Sequence, residues 1–295
     1  MTALPARIAE VWASALASGA LQPIRTWVET MEDGGVPFQV RVVDSLQGKG
    51  LLPTCGACAW LPPRTPRPRS GPRPNPFLPP DPALWVTDVP PNHRVILNKY
   101  PVIPHHVLVV TAAFAPQDEL PHAGDFAAME HCFAEMDGLA FYNGGVIGGA
   151  SQPHKHLQLV PVGFTEFPLA ARLHALAAGS PGPVTDPTLP FVHAALSLQN
   201  HTLFEAWNLL RATLELCPVP GPGVVQDAPY NLLFTRDWMA LLPRIREHAH
   251  GISVNALGFA GSLLVGDPHC IRCVKQEGPM RMLAQTGLPR QGPVP

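Results

Sequence analysis

Proline restricts this chain more than any other residue: 37 of its 295 positions carry it, well above ordinary usage. Each fixes φ and removes a backbone donor, and many sit in loops, so long helices are disfavoured. The densest stretch, residues 62–82, mixes Pro with Arg64, Arg67, Arg69 and Arg73 and has almost no periodicity. Composition leaves open whether it is an ordered loop or a flexible excursion. Hydrophobic residues at 46% against 14% charged suit a globular enzyme rather than a disordered chain. A net charge of -2 favours neither a long nucleic acid nor an acidic membrane as partner, so any phosphate-bearing ligand must be held by a local site. No apolar run is long enough to span a bilayer. The stretch Ala6–Ala20, interrupted by Glu10, reads as an amphipathic helix rather than a signal peptide. The expected compartment is the cytoplasm, with the six cysteines reduced.

Helical spacing predicts helices over Ala6–Ser18, Ile24–Met31, Asp125–Met136, Asn200–Leu216 and Gly278–Gln285. Strands are expected at Phe38–Val43, Val95–Asn98, Val107–Thr111, Leu139–Asn143 and Leu157–Val160. A hairpin should join Tyr230–Thr235 to Trp238–Leu242 across Arg236-Asp237. Strands in runs with helices between and after them imply α+β with mostly antiparallel sheet. A Pro/Gly-rich connector between Gly179 and Pro190 separates an N-terminal half, 1–170, from a C-terminal half, 185–290. The run from Asn143 to Ser151 has a loose counterpart in Asn255-Ala-Leu-Gly-Phe-Ala-Gly-Ser262, so the halves are expected to be related. Trp85, Trp207 and Trp238 are assigned to the core; His105 and His106, at a strand entrance, are within reach of the site, with capping or surface contacts the preferred reading.

The chemistry concentrates in Ser151-Gln-Pro-His-Lys-His-Leu-Gln-Leu-Val-Pro161. On a strand, His154, His156 and Gln158 share one face at roughly 6.5–7 Å spacing, enough to bracket one phosphoryl group. Leu157 and Leu159 face the other way and anchor the strand. A neutral imidazole can attack phosphorus directly, which makes His156 the candidate nucleophile. His154 would orient it or donate to the leaving group. Gln158 can donate an N–H to a nonbridging oxygen but exchanges no proton near neutrality, which favours handing a covalent intermediate to another phosphate over hydrolysis. The wet face of a sheet would also alternate, yet two histidines and a glutamine in strict alternation point to chemistry. The preceding Gly148-Gly149-Ala150-Ser151 has little side chain to obstruct an anion.

Those residues resemble the histidine-triad superfamily, in its ATP adenylyltransferase (diadenosine tetraphosphate phosphorylase) branch. Asn75-Pro-Phe-Leu-Pro-Pro-Asp-Pro, Leu97 to Thr111, Phe114-Ala-Pro-Gln-Asp-Glu-Leu, Tyr142-Asn-Gly-Gly and Val254-Asn-Ala-Leu-Gly-Phe-Ala-Gly fit the same branch. The resemblance therefore covers most of the chain, from about Phe38 to Met282. It implies a histidine-triad-like, galactose-1-phosphate uridylyltransferase-like fold. The implied reaction is phosphorolysis of diadenosine tetraphosphate by phosphate to ATP and ADP, through adenylyl-His156. It further implies substrate contacts at Lys49, Asn98, Asn143, Gly149, Ala150, Ser151, Gln152, Asn255, Ala256 and Leu257, and a divalent cation, Mg²⁺, screening the polyphosphate. Ser262 and Gly266 stand where the branch has Met and Lys, which bears on donor preference; the four arginines of residues 62–82 either supply charge or form a solvated loop.

Three other readings remain open. A hexose-1-phosphate uridylyltransferase would have Pro at position 155, where this chain has Lys155. A histidine-triad hydrolase would have His at position 158. A nucleotide binder without catalysis would need neither histidine. Finally, Cys55-Gly-Ala-Cys58 and Cys270-Ile-Arg-Cys273 are candidate ligands for a structural zinc if their loops meet, with His269 or His154 as alternative partners for one pair.

Overall fold

The computed structural model describes residues 3–43, 75–161, 167–216, 221–266 and 268–290. Lys49, Cys55, Cys58 and the arginines at positions 64, 67, 69 and 73 lie outside them. The chain opens with α1 (Leu4–Ser18), stopped by Gly19 in the left-handed region at φ 75. Next come β1 (Thr26–Asp33) and β2 (Val36–Val43), then β3 (Trp85–Val89), β4 (His93–Leu97) and β5 (Val107–Thr111). α2 (Ala123–Glu135) starts from a reciprocal cap between His122 and Asp125. β6 (Leu139–Gly144) and β7 (His156–Val160) follow, then α3 (Pro168–Ala178) and β8 (Ala194–Ser197). α4 (Leu203–Thr213) carries a second capping box, Thr202 with Glu205. β9 (Tyr230–Phe234), β10 (Trp238–Pro243), β11 (His248–Ala249) and β12 (Ile252–Ser253) lead to α5 (Ala256–Phe259) and β13 (Ser262–Val265). The helices α6 (Pro268–Glu277) and α7 (Pro279–Thr286) finish the fold.

Eight strands form one sheet in the order β3-β4-β5-β7-β6-β9-β10-β8, with every neighbouring pair antiparallel. The expected α+β class with mostly antiparallel sheet is what forms. The sheet takes strands from both sides of the Pro/Gly connector, so it runs unbroken through the two halves. On one face Leu157 and Leu159 pack with α1, α2 and α4 around Phe126 and Trp207. The other face carries Phe141, Leu233 and Trp238 against β2, β13 and the helices α3, α5, α6 and α7. A smaller sheet, β1-β2-β13, lies on that second side.

Ile24–Met31, expected as helix, is instead the strand β1. Its residues alternate in burial, and its register with β2 closes on Asp33↔Val36 around Gly34 and Gly35. Both glycines have positive φ, 57 and 70, which a two-residue hairpin turn requires. That Gly-Gly pair was the signal for a strand. α3, α6 and β8 were not anticipated. Trp207 and Trp238 are fully buried, but Trp85 is 40% exposed and is not core. The runs beginning at Asn143 and Asn255 differ in backbone: the first ends a strand, while Asn255 caps α5 by accepting from Leu257 N. They meet in space, because Asn143 Oδ1 accepts from Ala256 N at 2.9 Å.

Candidate active site

β6 and β7 pair from Leu139–Phe141 to Gln158–Val160 and then part. The side chain of Gln117 fills the opening: Oε1 accepts from His156 N at 2.8 Å, and Nε2 donates to Asn143 O at 3.0 Å and His156 O at 3.3 Å. Gln117 thereby holds β7 apart from β6 at the end that carries His156. Its segment, Phe114-Ala-Pro-Gln-Asp-Glu-Leu, is one of those that carry the resemblance, but no sequence pattern assigns Gln117 itself a role.

His156 Nδ1 lies 2.8 Å from the carbonyl oxygen of His154. A carbonyl can only accept, so Nδ1 carries the proton and Nε2 keeps its lone pair. Burial pushes the imidazole pKa down to about 4, although the His154 carbonyl bond opposes the shift. Phe77 leans on this ring and on that of His154, with centroids 5.4 and 5.7 Å away.

His154 does not face the cavity. It lies just before β7, and its Nε2 donates toward Thr111 O at 2.9 Å and Ala113 O at 3.2 Å. Its Nδ1 accepts from Asn75 Nδ2 at 2.9 Å. Both nitrogens are committed, so His154 orients its neighbour through a backbone carbonyl and is not placed to protonate a leaving group. The segment Asn75 to Phe77 thus gains a physical role as the cover over the histidine pair.

Lys155, between the histidines, points to the opposite side and is fully buried. Nζ sits 2.7 Å from Asp125 Oδ2, 3.1 Å from Glu119 Oε1 and 2.9 Å from Leu120 O. Burial alone would raise the Asp125 pKa, but the His93 hydrogen bond and the Lys155 charge outweigh it and bring it down to about 2.

For His106 the less favoured of the two sequence readings, approach to the site, is the one that holds. It is buried, not a surface contact, and lines the cavity. Asn98 Oδ1 accepts from Tyr100 N, which leaves Asn98 Nδ2 to donate to His106 Nδ1 at 3.1 Å. The remaining proton is therefore on Nε2, which is buried against the Gln158 side chain. Burial lowers its pKa to about 4, with the neighbouring Gln158 opposing and His156 assisting. A buried N–H beside Gln158 and His156 is a ready donor for a phosphate oxygen.

The cavity measures about 760 Å³ and is lined by His156, Gln158, Asn98, Asn143, Gly149, Ala150, Ser151, Gln152, Asn255 and Leu257. Of the described substrate-site candidates, only Ala256 stands behind the wall. Asn143 Oδ1 also accepts from Asn231 Nδ2 at 2.9 Å, so what Asn143 offers a ligand is its N–H₂ group. Asn231 Nδ2 holds Gly148 O at 2.7 Å, and the buried Arg244 guanidinium binds Asn231 Oδ1. Gly149 has φ 90, and a Cβ there would come within 2.9 Å of Asn255 Cβ. The Gly149 and Ala150 N–H groups close the loop's own turn onto Val146 O and Gly145 O; Ser151 and Gln152 are the loop's candidate anion donors.

No group of three or more His, Cys, Asp or Glu among the described residues is arranged to hold a metal. Cys270 and Cys273 share one face of α6, Cys270 touching the cavity, while the other cysteine pair is outside the described residues.

Comparison with known proteins bears on this arrangement. The description "Ap4A phosphorylase N-terminal domain" matches residues 1–176, more than half the chain. The chain belongs to the Ap4A phosphorylase family. Residues 187–289 match the "ATP adenylyltransferase C-terminal domain". Diadenosine 5′,5‴-P1,P4-tetraphosphate phosphorylase 2 of Saccharomyces cerevisiae is 26% identical over 250 residues, 73% of this chain and 76% of that protein. Protein APA1 of the same yeast is 27% identical over 195 residues, 58% of this chain and 61% of its own length. The crystal structure of yeast Ap4A phosphorylase Apa2 superposes with a TM-score of 0.75 at 22% identity, covering 98% of this chain and 96% of that one. Its complex with Ap4A gives 0.75 at 23% identity over 98% of both. This is a nucleotidyltransferase-type enzyme.

The two depressed histidines make a pH prediction. Adenylation of His156 should lose nothing to imidazole protonation from pH 8 down to pH 5.5, with the acid limb near pH 4 in single-turnover rates. An inflection near 6.5 would contradict the buried tautomer. Folding behaves otherwise, since the unfolded state takes up protons below pH 6.5 while the folded state resists until about 4. Each histidine should then cost about 2 kcal/mol of stability between pH 7 and pH 5, measurable as a fall in the urea midpoint.

Proposed function

We propose that this chain catalyses phosphorolysis of diadenosine tetraphosphate to ATP and ADP through an adenylyl-histidine. The observation that carries the reading is the His156 Nε2 lone pair, fixed by the 2.8 Å Nδ1 bond and turned into a cavity of nucleotide size. In the first half-reaction Nε2 attacks the phosphorus of one AMP unit, the bond to the bridging oxygen breaks, and ATP leaves with that electron pair. In the second, a phosphate oxygen attacks the same phosphorus, the P–N bond breaks, and ADP departs. Gln158 and the His106 Nε2–H supply neutral donors for the negative oxygens as charge redistributes. Neither activates water, which favours phosphate as acceptor.

The described cavity wall offers Asp81 and Glu247 as its carboxylates and no cage for a cation. The expected Mg²⁺ would come complexed to the polyphosphate, and no step is assigned to it. No described helix is long and apolar enough to cross a membrane; action in the cytoplasm is part of the proposal. Incubation with diadenosine tetraphosphate should yield ADP and ATP in equal amounts only when phosphate is added. AMP released without phosphate would mean a hydrolase, and the proposal would fail.

A further inference from the structure

Arg244 follows directly on β10 and is only 3% exposed. A guanidinium taken out of water ordinarily meets a carboxylate, because desolvating an unpaired charge is strongly unfavourable. Here its bonds end on neutral acceptors. Nε donates to Thr286 O at 3.1 Å, and Nη2 to Arg246 O at 2.8 Å and Glu247 O at 3.4 Å. Nη1 donates to Asn231 Oδ1, and the Phe259 ring lies 4.9 Å from the guanidinium carbon. The Glu247 carboxylate acts on it only from a distance, and Glu247 Oε1 is bonded to Ser253 Oγ at 3.0 Å. Among the described residues this cation therefore has no ion-pair partner.

The bond to Asn231 has a direction. Arginine can only donate, so the Asn231 carbonyl faces Arg244 and both Nδ2 hydrogens face away from it. They go to Asn143 Oδ1 at 2.9 Å and Gly148 O at 2.7 Å. Asn143 Oδ1 also accepts from Ala256 N at 2.9 Å, a backbone donor whose direction is equally fixed. Two independent donors thus impose one orientation on Asn143 and leave its Nδ2 hydrogens for the cavity. Asn143 lines that cavity, while Arg244 and Asn231 stand behind it. Donors point from the cation toward the cavity at every link, and an aligned chain of this kind polarises each bond in it. Among the described residues the cavity wall sets Arg41 and Lys99 against Asp81 and Glu247, so its own charges cancel. An anionic ligand beside Asn143 supplies the countercharge that the fold withholds from Arg244.

We propose that Arg244 is a positioning residue for nucleotide phosphate, acting through Asn231 to hold the Asn143 amide with its donors toward the cavity. The inference deepens the phosphorolysis reading above and rests on it for the presence of a phosphate at that wall. Neither Arg244 nor Asn231 touches the nucleotide. What they fix is the end of Asn143 that the phosphate meets, an N–H₂ group rather than a carbonyl.

AMP and adenosine differ by the phosphate alone, so titration calorimetry of the full chain with each of them isolates the effect. Asn231→Asp keeps the size of the side chain and its bond to Arg244, but it has no hydrogen for Asn143 and neutralises the cation. It should weaken AMP binding at least about 10-fold and leave adenosine within about twofold. Arg244→Met should do the same, whereas Arg244→Lys, which keeps the charge, should hold AMP within about threefold of wild type. If the buried substitutions prevent folding, the wild type still decides. Its Asn143 side-chain signal in amide NMR spectra, assigned by its loss in Asn143→Asp, should shift with AMP and stay in place with adenosine. Equal weakening of AMP and adenosine, unchanged AMP binding, or an Asn143 signal indifferent to AMP would overturn the inference. A wild type that met these expectations yet formed no ADP from diadenosine tetraphosphate and phosphate would sink the parent reaction and leave the positioning role standing.

Discussion

His156→Ala should form no adenylyl-enzyme, and turnover of diadenosine tetraphosphate should fall by at least about 10⁴-fold, the scale on which removal of a covalent nucleophile acts. The reason is geometric. Of the two histidines in the motif, only His156 lines the cavity, and its Nδ1 bond leaves Nε2 as the open lone pair. His154 spends both nitrogens on Asn75, Thr111 and Ala113 and has nothing to attack with. Trapping with substrate labelled in the adenosine, followed by acid quench, reads the adduct directly. A His156→Gly variant rescued by free imidazole would identify the missing group as the ring itself. Persistence of a labelled adduct in His156→Ala would sink the assignment.

Lys155→Met should be the most destabilising change near the site, costing about 3–5 kcal/mol, because it strands buried carboxylates without their cation. Asp125 is held ionised against its burial by His93 and Lys155, and Glu119 shares the same ammonium. Urea unfolding at pH 7 checks the size. Adding Asp125→Asn to Lys155→Met should recover part of the loss, since it removes one uncompensated charge; a loss below about 1 kcal/mol in the single variant would show that the cluster contributes little. The sign with pH follows from the lowered Asp125 value. Its contribution is present above the ordinary carboxylate range and is lost as pH falls from about 3.8 toward 2.

Much of the large sheet was legible because its strands obey period-two alternation bounded by turns. The Val107–Thr111 strand and the Arg236-Asp237 hairpin lie where the pattern put them. β1 was missed because Trp27, Val28 and Met31 also satisfy a helical spacing, and tertiary pairing with β2 decided between them. At the site, alternation correctly sent Leu157 and Leu159 into the core and His156 and Gln158 to the cavity. It overextended the strand to His154, whose environment is set by Asn75 and by the loop after β5, both far away in sequence. The roles of Gln117, Asn231 and Arg244 were not legible for the same reason. Their work is to bond residues 13 to 88 positions away, and no local pattern encodes such a partner. His106 could not be placed because exposure cannot be inferred from two adjacent histidines at a strand entrance.

The unbroken sheet also sets the order in which a growing chain can become an enzyme. A ribosome that has reached residue 176 has already made His156, yet β9, the strand that covers the open edge of β6, is still unmade. Until it arrives that edge offers unpaired backbone groups to any passing strand. Asn231, which pins Gly148 and Asn143, arrives within β9 itself, and the later Arg244 that grips Asn231 is in turn held by the carbonyl of Thr286. Prematurely terminated products therefore carry His156 and the Gly148–Ser151 loop without the Asn231 that anchors that loop. In such a chain, the bonds that fix the loop beside His156 are completed only late in synthesis, once Thr286 of α7 is in place to hold Arg244.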